Sequence, residues 1–352
     1  MNEIDVVVIG AGQAGLSSAY HLRRTGLDTL VLDAEQGAGG AWRHRSPTLD
    51  MARVHGIFDL PGVKREPDAE DLMRPAAEVV PAYYGAYERE TGLPILRPVK
   101  VTSVADGDDG RLVVTSDAGE WAARAAVNAT GTWTRPYWPY YPGAAGFRGT
   151  QLHYASYAGP APYTGKRVVV VGGGASAIHV LSELADVGAE TFWVTRRPPV
   201  FRSDDFGEDA RRHAVALVEE RVRAGLPPQS VVSVTGLGMS TIVREAMAKG
   251  VMDRLPMFSR IEPYGVTWAD GRYEAVDTIV WATGFRSALD HLAPLHLREP
   301  GGGIKVDGTH VIKEPRLHLV GYGPSASTVG ANRAGRAAAH SIQTLLTSQP
   351  AA

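Results

Sequence analysis

The apolar run Val6–Ile9 leads straight into Gly10-Ala11-Gly12-Gln13-Ala14-Gly15. An amphipathic stretch from Leu16 to Arg24 follows, Gly26 stops it, and a second run, Thr29–Leu32, ends in Asp33. Strand, glycine turn, helix and strand within about 30 residues make the unit that binds a dinucleotide. Each glycine has its own task. Gly10 allows the tight turn, Gly12 leaves the pyrophosphate unobstructed, and Gly15 lets the helix pack close to its strand. Gln13 and Ala14 complete the cradle, and the helix N-terminus offers free N–H groups and partial positive charge to a phosphate. Asp33 stands where a carboxylate accepts ribose hydroxyls.

The same layout recurs about 160 residues later: Arg167–Val171, then Gly172-Gly173-Gly174-Ala175-Ser176-Ala177, a helix through Leu184 and a strand Phe192–Thr195. Two copies of one fold type are therefore expected, not a short solenoid repeat. The second cradle keeps Gly172 and Gly174 but has Ala177 in the third place. Its second strand ends in Arg196-Arg197 instead of an acid. Guanidinium groups suit a 2′-phosphate, which a carboxylate would repel, so this copy points to NADPH over NADH. The blander reading is a solvated arginine edge.

Between the copies, Val99 to Val127 alternates and carries turn signals, as a small antiparallel meander does. The proline- and aromatic-rich stretch Thr132–Gly143 is neither helix nor central strand and reads as a crossing between domains. Helices are expected over Glu208–Ala224, with Ala214, Leu217, Val218 and Val222 on one face, and over Ser240–Lys249. A strand, Thr278–Trp281, precedes Ala282-Thr283-Gly284, and a last helix is expected from near Asn332. At 352 residues and 44% apolar, the chain can build two cores. Its net charge of −2 gives no footprint for nucleic acid or an anionic membrane. No apolar run is long enough to span a bilayer, and the acidic start MNEIDVVVIG does not read as a signal peptide, so a cytoplasmic protein is expected. There is no cysteine, so electrons cannot pass through a dithiol of this chain. No metal motif or nucleophile elbow is present.

Two such folds, with Gly39-Gly40-Ala41-Trp42 after the first and Phe147-Arg148-Gly149-Thr150-Gln151-Leu152-His153-Tyr154-Ala155-Ser156-Tyr157 before the second, resemble the flavin-containing monooxygenases. That last segment fits the family pattern FxGxxxHxxxY. The related Baeyer–Villiger enzymes carry Trp where this chain has Tyr157. The turns Ala129-Thr130-Gly131 and Ala282-Thr283-Gly284 match family hinges. The resemblance runs from Ile4 to about Arg336, strongest for compact bacterial members and more distantly for the plant YUCCA enzymes.

The resemblance implies an α/β chain of two doubly wound nucleotide-binding domains of glutathione-reductase type. Residues 1–150 and 277–352 would form an FAD domain, and 151–276 an NADPH domain with a helical insertion. FAD would be held by Gly10, Gly12, Gln13, Ala14, Gly15, Asp33, Gly40, Trp42, Val101, Gly131 and Thr328, and NADPH by Gly172, Gly174, Ala175, Ser176, Ala177, Arg196 and Arg197. Thr283 and Gly284, at the second hinge, would bind cofactor as well. Trp42 would lie along the flavin, or else be a core tryptophan. Gly321-Tyr322-Gly323 and the Ser325–Gly330 loop resemble the segment that closes over the ring. The family's Asn near Leu49–His55 is missing; either Arg53 or His55 acts in its place, or the site is built differently. His153 and Arg53 are the catalytic candidates, although His153 reads first as a hinge residue and otherwise as a hydrogen-bonded linker histidine. Trp133, Tyr137, Trp138, Tyr140 and Tyr141 either pack the junction or line a substrate channel. The loops Arg202–Gly207 and Leu255–Tyr264 would set substrate choice, and Arg211, Arg212 and His213 read as a solvated face.

The activity so implied is NADPH-dependent monooxygenation: flavin C4a-hydroperoxide forms with molecular oxygen and passes one oxygen to a small amine or sulfide. Alternatives are a Baeyer–Villiger or oxidative-decarboxylation variant, an NADPH-dependent flavin reductase serving a partner protein, and a redox sensor that kept the fold. The sequence sets no oligomeric state.

Overall fold

The computed structural model describes residues 1–54, 57–65, 68–202, 208–229, 234 and 236–348; at 208–214 and 328 only the backbone is described. His55, the loop 203–207, and the side chains of Arg211, Arg212, His213, Ala214 and Thr328 therefore lie outside it.

The first sheet grows around β1 (Asn2–Ile9), with β2 (Thr29–Leu32) and the short β3 (Ile95–Leu96) parallel on one side. On the other side β1 pairs with the meander β4 (Val101–Asp106), β5 (Leu112–Ser116) and β6 (Gly119–Asn128) through β6. The second sheet is built from β7 (Thr150–His153), β8 (Arg167–Val171) and β9 (Glu190–Thr195). A two-stranded pair, β10 (Phe201–Arg202) and β11 (Leu237–Gly238), stands apart. Then β12 (Arg254–Pro256) joins the second sheet, and β13 (Arg260–Glu262), β14 (Gly265–Thr267) and β15 (Tyr273–Ala275) form a small antiparallel sheet. With β16 (Thr278–Trp281), the second sheet has the order β12-β9-β8-β16-β7, all parallel. The chain returns to the first sheet with β17 (Val306–Asp307), β18 (His310–Val311) and β19 (Glu314–Leu319), the last parallel to β6.

The apolar runs explain this architecture. A parallel strand is covered on both faces, so every position is apolar. In β1, Val6 and Val8 enter one cluster with α1 (Gln13–Arg23), α2 (Ala76–Thr91) and the final helix, while Val7 and Ile9 face the meander. In β8, Val168 and Val170 face α3 (Ala175–Asp186), and Val169 and Val171 face Phe258 and Trp268 beside the small sheet. Each fully buried valine contributes on the order of 1.5–3 kcal/mol before entropy is counted.

Three expectations change. A first domain resuming at 277 would include β16, but this strand lies between β8 and β7 in the second sheet. We therefore move the return crossing from 277 to the Ala282–Gly284 turn. The inserted helix α4 (Glu208–Arg223) buries Val218 and Val222, but Leu217 is 41% exposed. Its Val222 packs with Leu289, Leu292 and Tyr322, so the end of the insertion rests on the first domain's core and not on the domain it was assigned to. The last helix begins a turn early: α5 (Thr241–Ala248) is followed by α6 (Thr328–Ser348), whose Gly335 crosses α1 where a Cβ would meet Ser17 Oγ and Ser18 N at 2.8 Å. No described helix is long and apolar enough to cross a membrane.

Candidate functional site

At the first cradle Gly10 has φ +98°, and an added Cβ would meet the Ala129 carbonyl at 2.8 Å. A Cβ on Gly15 would lie 1.8 Å from the Gly10 carbonyl oxygen, so helix and strand touch as the third glycine requires. A Cβ on Gly12 would meet nothing within 4 Å. It would project into open space before the N-terminus of α1, which has no side-chain cap. A pyrophosphate would fit this room. Gly40 closes one side of the turn, its Cβ position 2.9 Å from Gly12 Cα. Gln13 ties the turn down: Nε2 donates to the Asn332 Oδ1 and Phe58 carbonyl, and Oε1 accepts from the Tyr84 hydroxyl at 2.6 Å. Ala14 faces Gly321 of the C-terminal loop.

Asp33 is buried at the end of β2, its N–H bonded to the Leu96 carbonyl and its own carbonyl to Val99 N–H. Arg97 Nε donates to Asp33 Oδ2 at 2.6 Å and forks onto both Glu88 oxygens. One Asp33 oxygen is thus fixed by a guanidinium that sequence reading passed over. Val101 begins β4 two residues beyond Val99 and packs against the meander core, beside this strand end.

At the second cradle a Cβ on Gly172 would strike the Ala282 carbonyl at 2.3 Å, and one on Gly174 would meet nothing within 4 Å. Gly174 begins α3 without a side-chain cap, followed by Ala175 and Ser176. The third place tolerates Ala177, fully buried, for a visible reason. The Gly172 carbonyl, whose counterpart at Gly10 lies against Gly15, accepts here from the Trp193 indole N–H at 2.7 Å and so is engaged by β9. Arg196 and Arg197 follow β9 and are exposed, with no acidic partner among the described residues. A third guanidinium joins them: Arg254 Nε donates to Thr195 Oγ1 at 2.7 Å. Its place on β12 could be known only from the sheet order.

The crossings run side by side. Tyr137 N–H donates to the Gly284 carbonyl, Ala288 N–H to Gly131 and Arg286 N–H to Arg135. Thr283 Oγ1 donates to the Tyr137 carbonyl. Gly131 and Gly284 take φ +63° and +79°. His153 ends β7 against this pair. Its Nδ1 accepts from Ala155 N–H at 3.1 Å, which leaves Nε2 as the donor to the Gly284 carbonyl at 3.0 Å. Burial lowers its pKa, opposed by the Gly284 bond. With both nitrogens held by backbone, the ring has none free for proton transfer, which argues against the acid–base candidacy and for the hinge. Arg53 is also engaged: it reaches Asp50 at 2.9 Å and Glu245 of α5 at 3.2 Å. It joins the two halves and does not stand free as a substitute for the family's Asn.

The aromatic cluster divides. Tyr141 packs with Phe258 and Trp281 in the second core, and Trp133 stacks on Phe285 at 4.8 Å. Tyr140 is 90% exposed, and Tyr137 and Trp138 are exposed too. Trp42 is half-buried against the first core. In the C-terminal loop, Tyr322 turns inward, its hydroxyl accepting from Ile304 N–H. Among the described residues no group of His, Asp or Glu is gathered to hold a metal.

Two glycine turns at strand–helix junctions, one on a mixed and one on a parallel sheet and joined by paired crossings, are the architecture of an oxidoreductase that works with two nucleotides. Residues 7–310 match the family model described as pyridine nucleotide-disulphide oxidoreductase. The chain is similar to a flavin-containing monooxygenase from Stenotrophomonas maltophilia, with 39% identity over 98% of this chain and 100% of that one, at a TM-score of 0.84. It is 32% identical to a ferredoxin–NADP reductase of Salinispora arenicola (91% of this chain, 86% of the relative). It is 27% identical to indole-3-pyruvate monooxygenase YUCCA1 of Oryza sativa subsp. japonica (90% of this chain, 86% of the relative). The chain belongs to the flavin-containing monooxygenase family within the pyridine nucleotide-disulphide oxidoreductases, whose members use FAD and NADPH.

Proposed function

We propose that this chain transfers one oxygen atom from O₂ to a small nucleophilic substrate, an amine or a sulfide, using FAD at the Gly10–Gly15 cradle and NADPH at the Gly172–Ala177 cradle. Bound flavin would supply hydride acceptance and oxygen activation as a C4a-hydroperoxide. The observation that carries this reading is a pair of open cradles in a chain without cysteine. Disulphide chemistry, which names the wider family, has no residues here to run on.

The chain's own contribution is binding and exclusion of water. Gly12 and Gly174 leave open space where two pyrophosphates would fit, Asp33 would hold the first ribose, and Arg196 and Arg197 would hold the 2′-phosphate. His153 ties β7 to the Gly284 turn, a hinge that would help keep a bound nicotinamide in place and water out. Mixing NADPH-reduced protein with oxygen in a stopped-flow instrument tests this. A transient absorbance distinct from oxidised flavin is expected, decaying faster with the right amine or sulfide.

The reductases of Salinispora, one of them 32% identical, favour a second reading: electron delivery to a partner protein. Direct return to oxidised flavin with stoichiometric peroxide, together with rapid reduction of added ferredoxin, would select it.

A further inference from the structure

Arg45 follows the Gly39–Trp42 turn and has no acid beside it among the described residues. Its guanidinium lies over the Trp42 ring at 5.1 Å and over Trp133 at 4.6 Å. Trp133 stacks on Phe285, which meets the His153 ring edge-on at 5.0 Å. These layers come from the first domain, both crossings and β7. Arg45 is the charged layer of an aromatic stack.

Its Nε is buried without a partner, and no carboxylate pairs with the side chain among the described residues. Buried charges are ordinarily paired, because losing hydration is costly. Two indole faces offset part of that cost but offer no oxygen to the N–H donors. A guanidinium so held is matched by a planar anion with two oxygens.

Its position says whose anion. On one side, Trp42 is two residues from Gly40, which touches Gly12 of the first cradle. On the other, Trp133 packs against the second core, whose cluster holds Tyr154 together with Ala175 and Ala177 of the second cradle. The guanidinium thus lies between the cradles, and each pyrophosphate already has its own helix N-terminus. A third ligand remains.

We propose that Arg45 is the carboxylate-binding residue of the substrate site, and that the site takes a small aromatic acid whose ring rests on the Trp133–Phe285 wall. This rests on the oxygen-transfer reading and narrows it: the nucleophilic nitrogen or sulfur is carried by an aryl acid.

The test is equilibrium binding to the FAD-loaded protein without NADPH, followed by tryptophan fluorescence. (Phenylthio)acetate and its neutral amide are the probes, and NADP⁺ is titrated separately. The acid is expected to bind about ten- to hundredfold tighter than the amide. Arg45→Met should erase that gap and Arg45→Lys restore part of it, with FAD content, melting temperature and NADP⁺ affinity unchanged. Equal binding of acid and amide by the parent protein overturns the proposal. So does an Arg45→Met variant that keeps the acid preference and loses NADP⁺ affinity, which would give the guanidinium to a dinucleotide phosphate. If the acid binds as expected but is never oxygenated with NADPH and O₂, the oxygen-transfer reading fails and the carboxylate site stands.

Discussion

Gly12 and Gly15 stand three residues apart in one turn, yet they should answer an added methyl in opposite ways. At Gly15 the new Cβ would overlap a backbone oxygen that cannot move without shifting β1. Gly15→Ala should therefore cost more than the roughly 1–3 kcal/mol of ordinary overpacking, and the fold itself should fail or melt early. At Gly12 the methyl meets no protein atom. Gly12→Ala should fold, melt cooperatively as apoprotein and be purified colourless, because the methyl fills the pyrophosphate's space. Heat-released flavin decides it: a Gly12→Ala protein with stoichiometric FAD would remove the cradle from the cofactor site. Arg196 and Arg197 make the matching case at the second cradle. Losing charge-assisted contacts costs about 1.5–3 kcal/mol, or roughly one to two decades in affinity. The double alanine variant should raise KM for NADPH by that factor and leave KM for NADH alone. If the parent protein uses both coenzymes equally well, the pair is only a solvated edge.

Between the elements, one imidazole ties the end of β7 to the return crossing, accepting from Ala155 and donating to Gly284. His153→Ala should leave FAD content intact, because the first cradle is untouched, and should shorten the oxygen-reactive transient and slow flavin reduction by NADPH. His153→Gln keeps a donor and should recover part of both. An alanine variant with parental kinetics would make His153 packing alone. What sequence could read at this scale follows from local physics. Glycines with positive φ, valine runs covered on both faces and a proline-rich crossing each state their own conformation. What it could not read depends on a distant partner. Nothing local in Thr278–Trp281 says that it pairs with β8 and not with β6. The face of α4 is chosen by the first domain's core, so Val218 and Val222 are buried while Leu217, equally apolar, is not. Arg45, Arg97 and Arg254 escaped for the same reason: an arginine is ordinary until the residues around it are known.

Across the whole molecule, acid stability should be set largely by two histidines of the first domain. His291 bonds to Asn128 of β6 at 2.7 Å, and His318 of β19 bonds to Thr309 at 2.9 Å with Nε2 buried and unpartnered. Burial pushes His291 from the ordinary 6.5 down to about 4. Burial, aided by neighbouring His310, does the same to His318. The folded state thus resists the imidazolium, and between about pH 6.5 and 4 the unfolded chain binds more protons than the folded one. Stability is complete above the unfolded value and is lost as pH falls towards the folded value. The loss approaches roughly 3 kcal/mol per histidine as an upper bound. The melting temperature should fall steadily over that window with FAD saturating. His318→Gln, which cannot charge, should melt lower at pH 7 for lack of a fitted ring but with a shallower fall towards pH 4. The slope is the deciding measurement, because a merely structural role shifts the whole curve and leaves its slope alone. Parallel curves for parent and variant would show that His318 takes up its proton alike in the folded and unfolded chain, and acid lability would then have to come from His291 and the carboxylates.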